Sequence, residues 1–451
     1  MNKLVLYLFF LIYLIYANLF FSDSIIYLSS FLLLICILTY YYKINKIFFY
    51  LFIFLFISFI WTIFSLYYIE GGAYISEQRV YGEHTNSIAR YISFYFIFII
   101  GAFYSFSILS NVKLQTIGKG NNYKTIITFT KVFFIVLLLI YLFLGLYKGF
   151  PLLHGLNRFY YWKEIETFHK VIYLTPILSF FIGLSYAISS NKIYLYQIFI
   201  LFIFLILFSE KFSGPFLLTI YYIMGFYITS NILSKDKNIG FGNKFIFIFI
   251  PAILLILITI VSIGYILLHN VGVDNLYDKI IERAFALQGH IWYGIDKIVL
   301  NNIGSVDYSL FFRNNNEPES PAGLIYLMYQ VGDYNFIHAM RESGIRFTNG
   351  FPAITLMSFG YIYGFIVQFF LGIVAGIFLF YLYKKILYFQ PIRLFIALIF
   401  FNNIFTNVYV MGEVYFIYKF ISIICLLVFS FDIIILREKN ILRKGRKCLN
   451  T

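Results

Sequence analysis

Two histidines and four arginines hold most of the chemistry that the sequence offers. His290 follows Arg283 by two helical turns, so a helix through this stretch would carry both on one side. His338, Arg341 and Glu342 are spaced i, i+3 and i+4. That spacing shares a face, where Glu342 could hold His338 in one tautomer and make it a competent base; a plain surface helix with an internal salt bridge would look the same. Arg158 stands beside Phe159, Tyr160, Tyr161 and Trp162, and Arg346 precedes an Asn349–Gly350 turn. An arginine fork grips two phosphate oxygens and keeps its charge. Aromatic rings such as Tyr160, Trp162 and Trp292 stack on sugar faces, or anchor helices at a membrane interface. The sequence has no HExxH, Walker loop, GxSxG or DxD-type pair, and Cys36, Cys425 and Cys448 show no metal or disulfide spacing. The expected chemistry therefore needs neither metal nor cofactor.

The elements that must position these residues are dictated by composition. Of 451 residues, 61% are hydrophobic and 12% charged, with 58 Phe and 42 Tyr and a mean hydropathy of +0.85. Soluble domains average roughly 45–50% apolar and ~25% charged. A soluble enzyme, a disordered chain and a nucleic-acid-binding domain are excluded. The net charge of +14 sits mainly in short lysine-bearing connections rather than in a binding patch. Uninterrupted apolar runs favour helices over an outer-membrane barrel, whose strands alternate.

A membrane helix needs about 20 apolar residues. Twelve spans are expected: Leu4–Phe21, Ile25–Tyr42, Phe48–Tyr68, Tyr91–Leu109, Thr125–Tyr147, Val171–Ile188, Ile193–Phe208, Pro215–Leu233, Phe245–Leu268, Ala353–Tyr383, Leu394–Val410 and Tyr415–Leu436. The first run lacks a small-residue cleavage site and reads as a retained anchor. Lysines at 43, 46, 113, 119, 124, 192, 235, 237, 244, 384 and 385, with the basic tail from Arg437, place both termini in the cytoplasm by the positive-inside rule. All six histidines and seven of eleven arginines then fall outside. The chain divides into residues 1–268, nine spans with outer loops at 70–90 and 148–170; residues 269–352, one large outer loop; and residues 353–451, three spans and the tail.

In the large loop, Leu276, Ile280, Ala284, Leu287, Ile291, Ile295 and Ile298 form an apolar stripe. The expected helix lies along the outer membrane surface, apolar face down, with Asp274 as its cap and with Arg283 and His290 held away from the apolar stripe. Its basic residues could equally meet lipid phosphates. A second helix runs from Tyr334 to Ser343, capped by Asp333 and ended by Gly344. Gly360–Gly364 and Gly372–Gly376 are two GxxxG pairs, expected to pack helices closely. The run Ala353–Tyr383 is longer than a bilayer needs, so it should tilt or begin above the membrane.

This architecture resembles the O-antigen polymerases (Wzy-type), which join lipid-linked oligosaccharide repeat units of bacterial surface polysaccharides and are related to the O-antigen ligases. The resemblance extends over the whole chain in span number, cytoplasmic ends and one late outer loop. Gly149–Phe159, GFPLLHGLNRF, resembles the family's Gly-x-Pro turn with a following Arg. The stretch from Arg283 to Ala353, with RAFALQGHIWYG and RFTNGFPA, resembles its Arg-led helix and its loop returning to the membrane. The resemblance implies a GT-C-like fold, an undecaprenyl-pyrophosphate-linked oligosaccharide as substrate, and no metal. It also implies pyrophosphate-binding roles for Arg158 and Arg283, to which the residue pattern adds Arg341 and Arg346. The expected base is His290, with His338 second. Expected partners are membrane lipid and a chain-length regulator protein, with no nucleic acid. The expected place is the bacterial inner membrane, in lipopolysaccharide or capsule synthesis. A ligase differs only in acceptor; a flippase would need charges buried mid-span and two similar halves.

Overall fold

The computed structural model describes residues 35–36, 38–110, 121–154, 161–162, 164, 171–210, 213–234, 281–301, 307–313, 321–342 and 349–417. These residues are mostly helical. The membrane helices among them are α1 (Lys46–Glu70), α2 (Ser87–Ser110), α3 (Asn121–Lys148), α4 (Leu174–Ser189), α5 (Ile193–Leu207) and α6 (Ser213–Ser234) in the first part of the chain. The segment expected to lie outside, the outer segment, holds α7 (His290–Asn301), α8 (Ser309–Phe312), α9 (Gly323–Val331) and α10 (Tyr334–Glu342). Then come α11 (Ala353–Tyr388) and α12 (Pro391–Asn407). Between α1 and α2 lies a two-stranded antiparallel hairpin, β1 (Tyr74–Ile75) and β2 (Val80–Tyr81), which the all-helical expectation did not include.

Helices α1, α2, α3, α6 and α11 are long and apolar enough to cross a membrane; α4, α5 and α12 are apolar but shorter. Each of the eight falls on an expected span. The expected spans Leu4–Phe21 and Phe245–Leu268 lie outside the described residues, as does most of Ile25–Tyr42 and of Tyr415–Leu436. Helix α1 shows why such runs fold as they do. Asn45 caps its start by accepting from Phe48 N at 3.3 Å, no Gly or Pro interrupts it, and Gly71 ends it by donating to Tyr67 O.

The longest contact in the bundle is between α2 and α11. A Cβ built at Gly372 would lie 2.1 Å from Phe98 O, one at Gly376 2.2 Å from Ala102 O, and one at Gly101 2.3 Å from Phe369 O. The two backbones touch because glycine stands on both sides, which bears out Gly372–Gly376 as a packing pair. Gly360 does something else. It adopts φ 64°, ψ −167°, a conformation open to glycine alone, and breaks α11 after its first two turns. The length of this run is therefore absorbed by a break.

The outer segment corrects the expected surface helix. Residues Glu282–Ala286 form a π-helical turn, the chain then turns through Leu287–Gly289, and α7 begins at His290. Gly289 weakens helix continuity. Ser65 of α1 pins the turn, accepting from Gly289 N at 2.7 Å and donating to Ala286 O at 2.9 Å. Arg283 and His290 thus do not share one regular helix. Nor does α7 lie on the bilayer: His290, Ile291, Trp292, Tyr293, Ile295 and Asp296 are all buried, against α1, α2, α9 and α11. His290, Tyr293 and Asp296 enter the core because they find partners there. Asp274 lies outside the described residues.

Candidate functional site

At the end of the bundle where α1 stops and α2 and α11 start, two buried charges meet a half-buried tyrosine. Arg90, in the first turn of α2, is 1% exposed, and Asp296 of α7 is 0% exposed. The guanidinium donates from Nε to Oδ1 at 2.9 Å and from Nη2 to Oδ2 at 2.5 Å, a two-pronged grip. Nη2 also donates to Thr85 O, and the Tyr361 hydroxyl, one residue past the break in α11, donates to Asp296 Oδ1 at 2.8 Å. Sequence-distant elements α2, α7 and α11 are joined at one carboxylate.

The loop from Glu70 to Arg90 wraps this centre. Glu70 ends α1, and its carboxylate accepts from Ser87 N at 2.5 Å and from the Thr85 hydroxyl at 3.1 Å, which caps α2. His84 faces the same carboxylate, its Nδ1 3.6 Å from Glu70 Oε2; the imidazole is 47% exposed and the carboxylate 3%. A buried acid thus backs a solvent-facing imidazole. Tyr293 ties the loop to α7, accepting from Glu83 N at 2.7 Å and donating to Glu83 O. Burial pushes its phenol up, so it keeps the proton that it donates. Lys297 pairs with Glu83 at 3.3 Å, and Glu282 accepts from Ser76 N at 3.0 Å.

His290 is placed differently from expectation. It is 1% exposed, with Nδ1 2.8 Å from Leu287 O and Nε2 3.1 Å from Glu77 Oε2. The second approach is an ion-pair contact rather than a well-aligned hydrogen bond. Gln78 closes over the turn, donating to His290 O at 2.7 Å. His290 therefore holds α7 to the hairpin and does not face solvent.

The other expected site residues are scattered. His338 is exposed on α10, stacked near Tyr334, and Asp333 caps that helix by accepting from Phe336 N, as the sequence predicts. Arg341 is half-buried on the same helix, and Arg283 lies in the π-helical turn beside α1. Arg158, Arg346 and Tyr160 lie outside the described residues. Neither Trp162 nor Trp292, the two tryptophans expected to stack on sugar, offers a face to one. Trp292 is buried against Tyr91 and Phe94 and donates from Nε1 to Ser87 O. Trp162 is buried against Tyr161 and Phe208. Their large apolar rings are core material here. Asn349 closes the outer segment, donating to Gln288 O, Gln288 Oε1 and the Thr62 hydroxyl; it leads through the expected turn into α11. Arg90, Asp296, Glu70 and His84 were not singled out in the sequence. The available signal was a lone Arg opening one apolar run and a lone Asp inside an amphipathic helix.

Residues 317–428, from just before α9 to beyond α12, match a family of unknown function, DUF6418. The match leaves α7, the hairpin and the loop from Glu70 to Arg90 outside it. Comparison with curated proteins and with solved structures gave no match.

Proposed function

We propose that the chain is a membrane-embedded polymerase of lipid-linked oligosaccharide repeat units, of the O-antigen polymerase type. One observation carries this reading. Glu70, Glu77, His84, Arg90, His290 and Asp296 all gather where α1 ends and α2 begins, while Lys46, Lys384, Lys385 and Arg393 lie at the far ends of their helices. A substrate with its lipid in the bilayer and its sugars outside would present its pyrophosphate at such an end.

In the proposed reaction the acceptor hydroxyl oxygen attacks the anomeric carbon of the donor glycan. The bond from that carbon to the pyrophosphate oxygen breaks, and undecaprenyl pyrophosphate leaves with the electron pair. Arginines Arg158, Arg283, Arg341 and Arg346 neutralise the charge that develops on it. The acceptor proton goes to an imidazole. His84 is the base in this reading, because Glu70 orients it and it meets solvent; His290 is a positioning residue, and His338 the alternative base. The protein sits in the inner membrane with both termini in the cytoplasm. An acceptor outside the repeat-unit pool would make the same chemistry a ligase. A transporter reading has the broken α11 and its fully buried Gln368 in its favour. Against it, the described membrane helices bury no charged side chain at mid-span.

Two experiments test the reading. Cysteine placed at the exposed Asn335 on α10, in a cysteine-free chain, should react with an impermeant thiol reagent in cells whose outer membrane alone is permeabilised. Labelling only after the inner membrane is broken would reverse the orientation. Purified chain in nanodiscs, given undecaprenyl-pyrophosphate-linked repeat units, should release undecaprenyl pyrophosphate and build a ladder of polymer. Intact units after prolonged incubation would refute the polymerase.

A further inference from the structure

With Trp162 and Trp292 both buried, an aromatic site still stands at the end of α1. Tyr67, Tyr68, Gly71, Gly72 and Ala73 line a recess of about 370 Å³ at the end of α1. That volume lies within the range of small-ligand clefts, about 300–1,000 Å³. Tyr67 is 73% exposed, and at Gly72 the backbone faces open space. The hairpin forms the rim. Tyr74 follows Ala73 directly and stands opposite Tyr81 in the β1–β2 register, with ring centroids 5.0 Å apart and Tyr81 69% exposed. Gly82 N donates to Ala73 O, which holds rim and recess together. On the other side Tyr68 lies 6.2 Å from Phe285, in the π-helical turn that carries Arg283.

Tyrosine at a helix end also anchors membrane proteins at the interface, and Tyr67 and Tyr68 suit that role. Tyr74 and Tyr81 do not need it, since they sit on a hairpin beyond the helix. The electrostatics select the ligand. A helix C-terminus presents carbonyl oxygens and the negative end of the dipole. Tyr67 O and Ile69 O already accept from Gly71 N and Gly72 N, but each carbonyl keeps a second lone pair for a hydroxyl group, and the dipole end disfavours phosphate. Ring faces together with carbonyl acceptors match the C–H faces and hydroxyls of a neutral pyranose.

We propose that this recess, with its Tyr74–Tyr81 rim, is a saccharide subsite that takes neutral pyranose rings of the lipid-linked substrate. The assignment to that substrate rests on the polymerase reading; saccharide binding itself does not. In the polymerase reading the pyrophosphate is assigned to arginines and not to this recess.

The test uses the full chain in nanodiscs and saturation-transfer NMR. The probes are chitotetraose and the repeat-unit oligosaccharide freed by mild acid from the lipid-linked pool of the producing cells. The parent chain should bind the freed oligosaccharide. Tyr67→Ala with Tyr81→Ala should weaken binding about tenfold, since each stacked ring contributes a modest term. Tyr67→Phe with Tyr81→Phe should keep it, because the rings remain. Both residues are exposed, so all variants should unfold at the parent temperature. Absence of binding by the parent, or equal binding by the alanine variant, would overturn the subsite. A parent that binds but forms no polymer would overturn the polymerase reading alone. A parent that forms polymer, with an alanine variant that binds and polymerises equally, would overturn the subsite alone.

Discussion

Replacing Arg90 by alanine will destabilise the folded protein by about 3–5 kcal/mol, one of the largest effects a single side chain can have here. The reason is what remains. Asp296 is fully buried, and two of its three donors would vanish with the guanidinium, leaving the Tyr361 hydroxyl to hold a carboxylate away from water. An uncompensated buried charge is far more costly than a missing contact. Arg90→Lys keeps the charge but cannot fork onto both oxygens, so it should fall between parent and alanine. Arg90→Met with Asp296→Leu removes both charges and should recover much of the loss. The measurement is the thermal midpoint of detergent-purified protein, followed by size exclusion or intrinsic fluorescence. A midpoint for Arg90→Ala equal to the parent's would show that the pair does not hold α2, α7 and α11 together.

His84→Gln should lower the rate of polymer formation by about 10²–10⁴, the usual loss of a general base, with no change in thermal midpoint. The imidazole is half in solvent, so its removal leaves no core group stranded, and Glu70 still caps α2 through Ser87 N. His290→Gln should behave in the opposite way. It disturbs the buried contacts to Leu287 O and Glu77, so the midpoint should drop while the folded fraction keeps its rate per molecule. The comparison separates the two histidines with one pair of readouts. Full activity in His84→Gln together with loss in His338→Gln would move the base to α10. Full activity in both would remove exposed histidine from the proposed mechanism.

The helices were legible because their signal is local. Long runs of Phe, Leu and Ile with Asn, Gly or Pro at their ends mark α1 to α6, α11 and α12 without reference to anything else in the chain. The same holds for the Asp333 cap and the turn at Asn349–Pro352. The site was hard to read because its signal is non-local. An amphipathic stripe says that α7 has two faces, but not whether they meet lipid, water or other helices. Asp296 enters the core because Arg90 is there to meet it, 206 positions earlier in sequence. The residue type of Trp292 suits a sugar face or a membrane interface, whereas Ser87 O and the rings of Tyr91 and Phe94 occupy it. His84 and Glu70 lie close only because the hairpin folds the loop back on itself. Gly360 stands in a spacing that also fits helix packing, and only its backbone angles reveal a break.

The Arg90–Asp296 pair also imposes an order on biosynthesis. The 206 positions between the two side chains take about 10–40 s to translate at 5–20 residues per second. During that interval α2 has reached the membrane while its counter-ion has not yet been made. A guanidinium does not enter a dry interior alone, so the first turn of α2 stays hydrated until α7 emerges and folds down. Helix α2 is thus made early and seated late, and the nascent chain completes this end of the bundle only when α7 has been made.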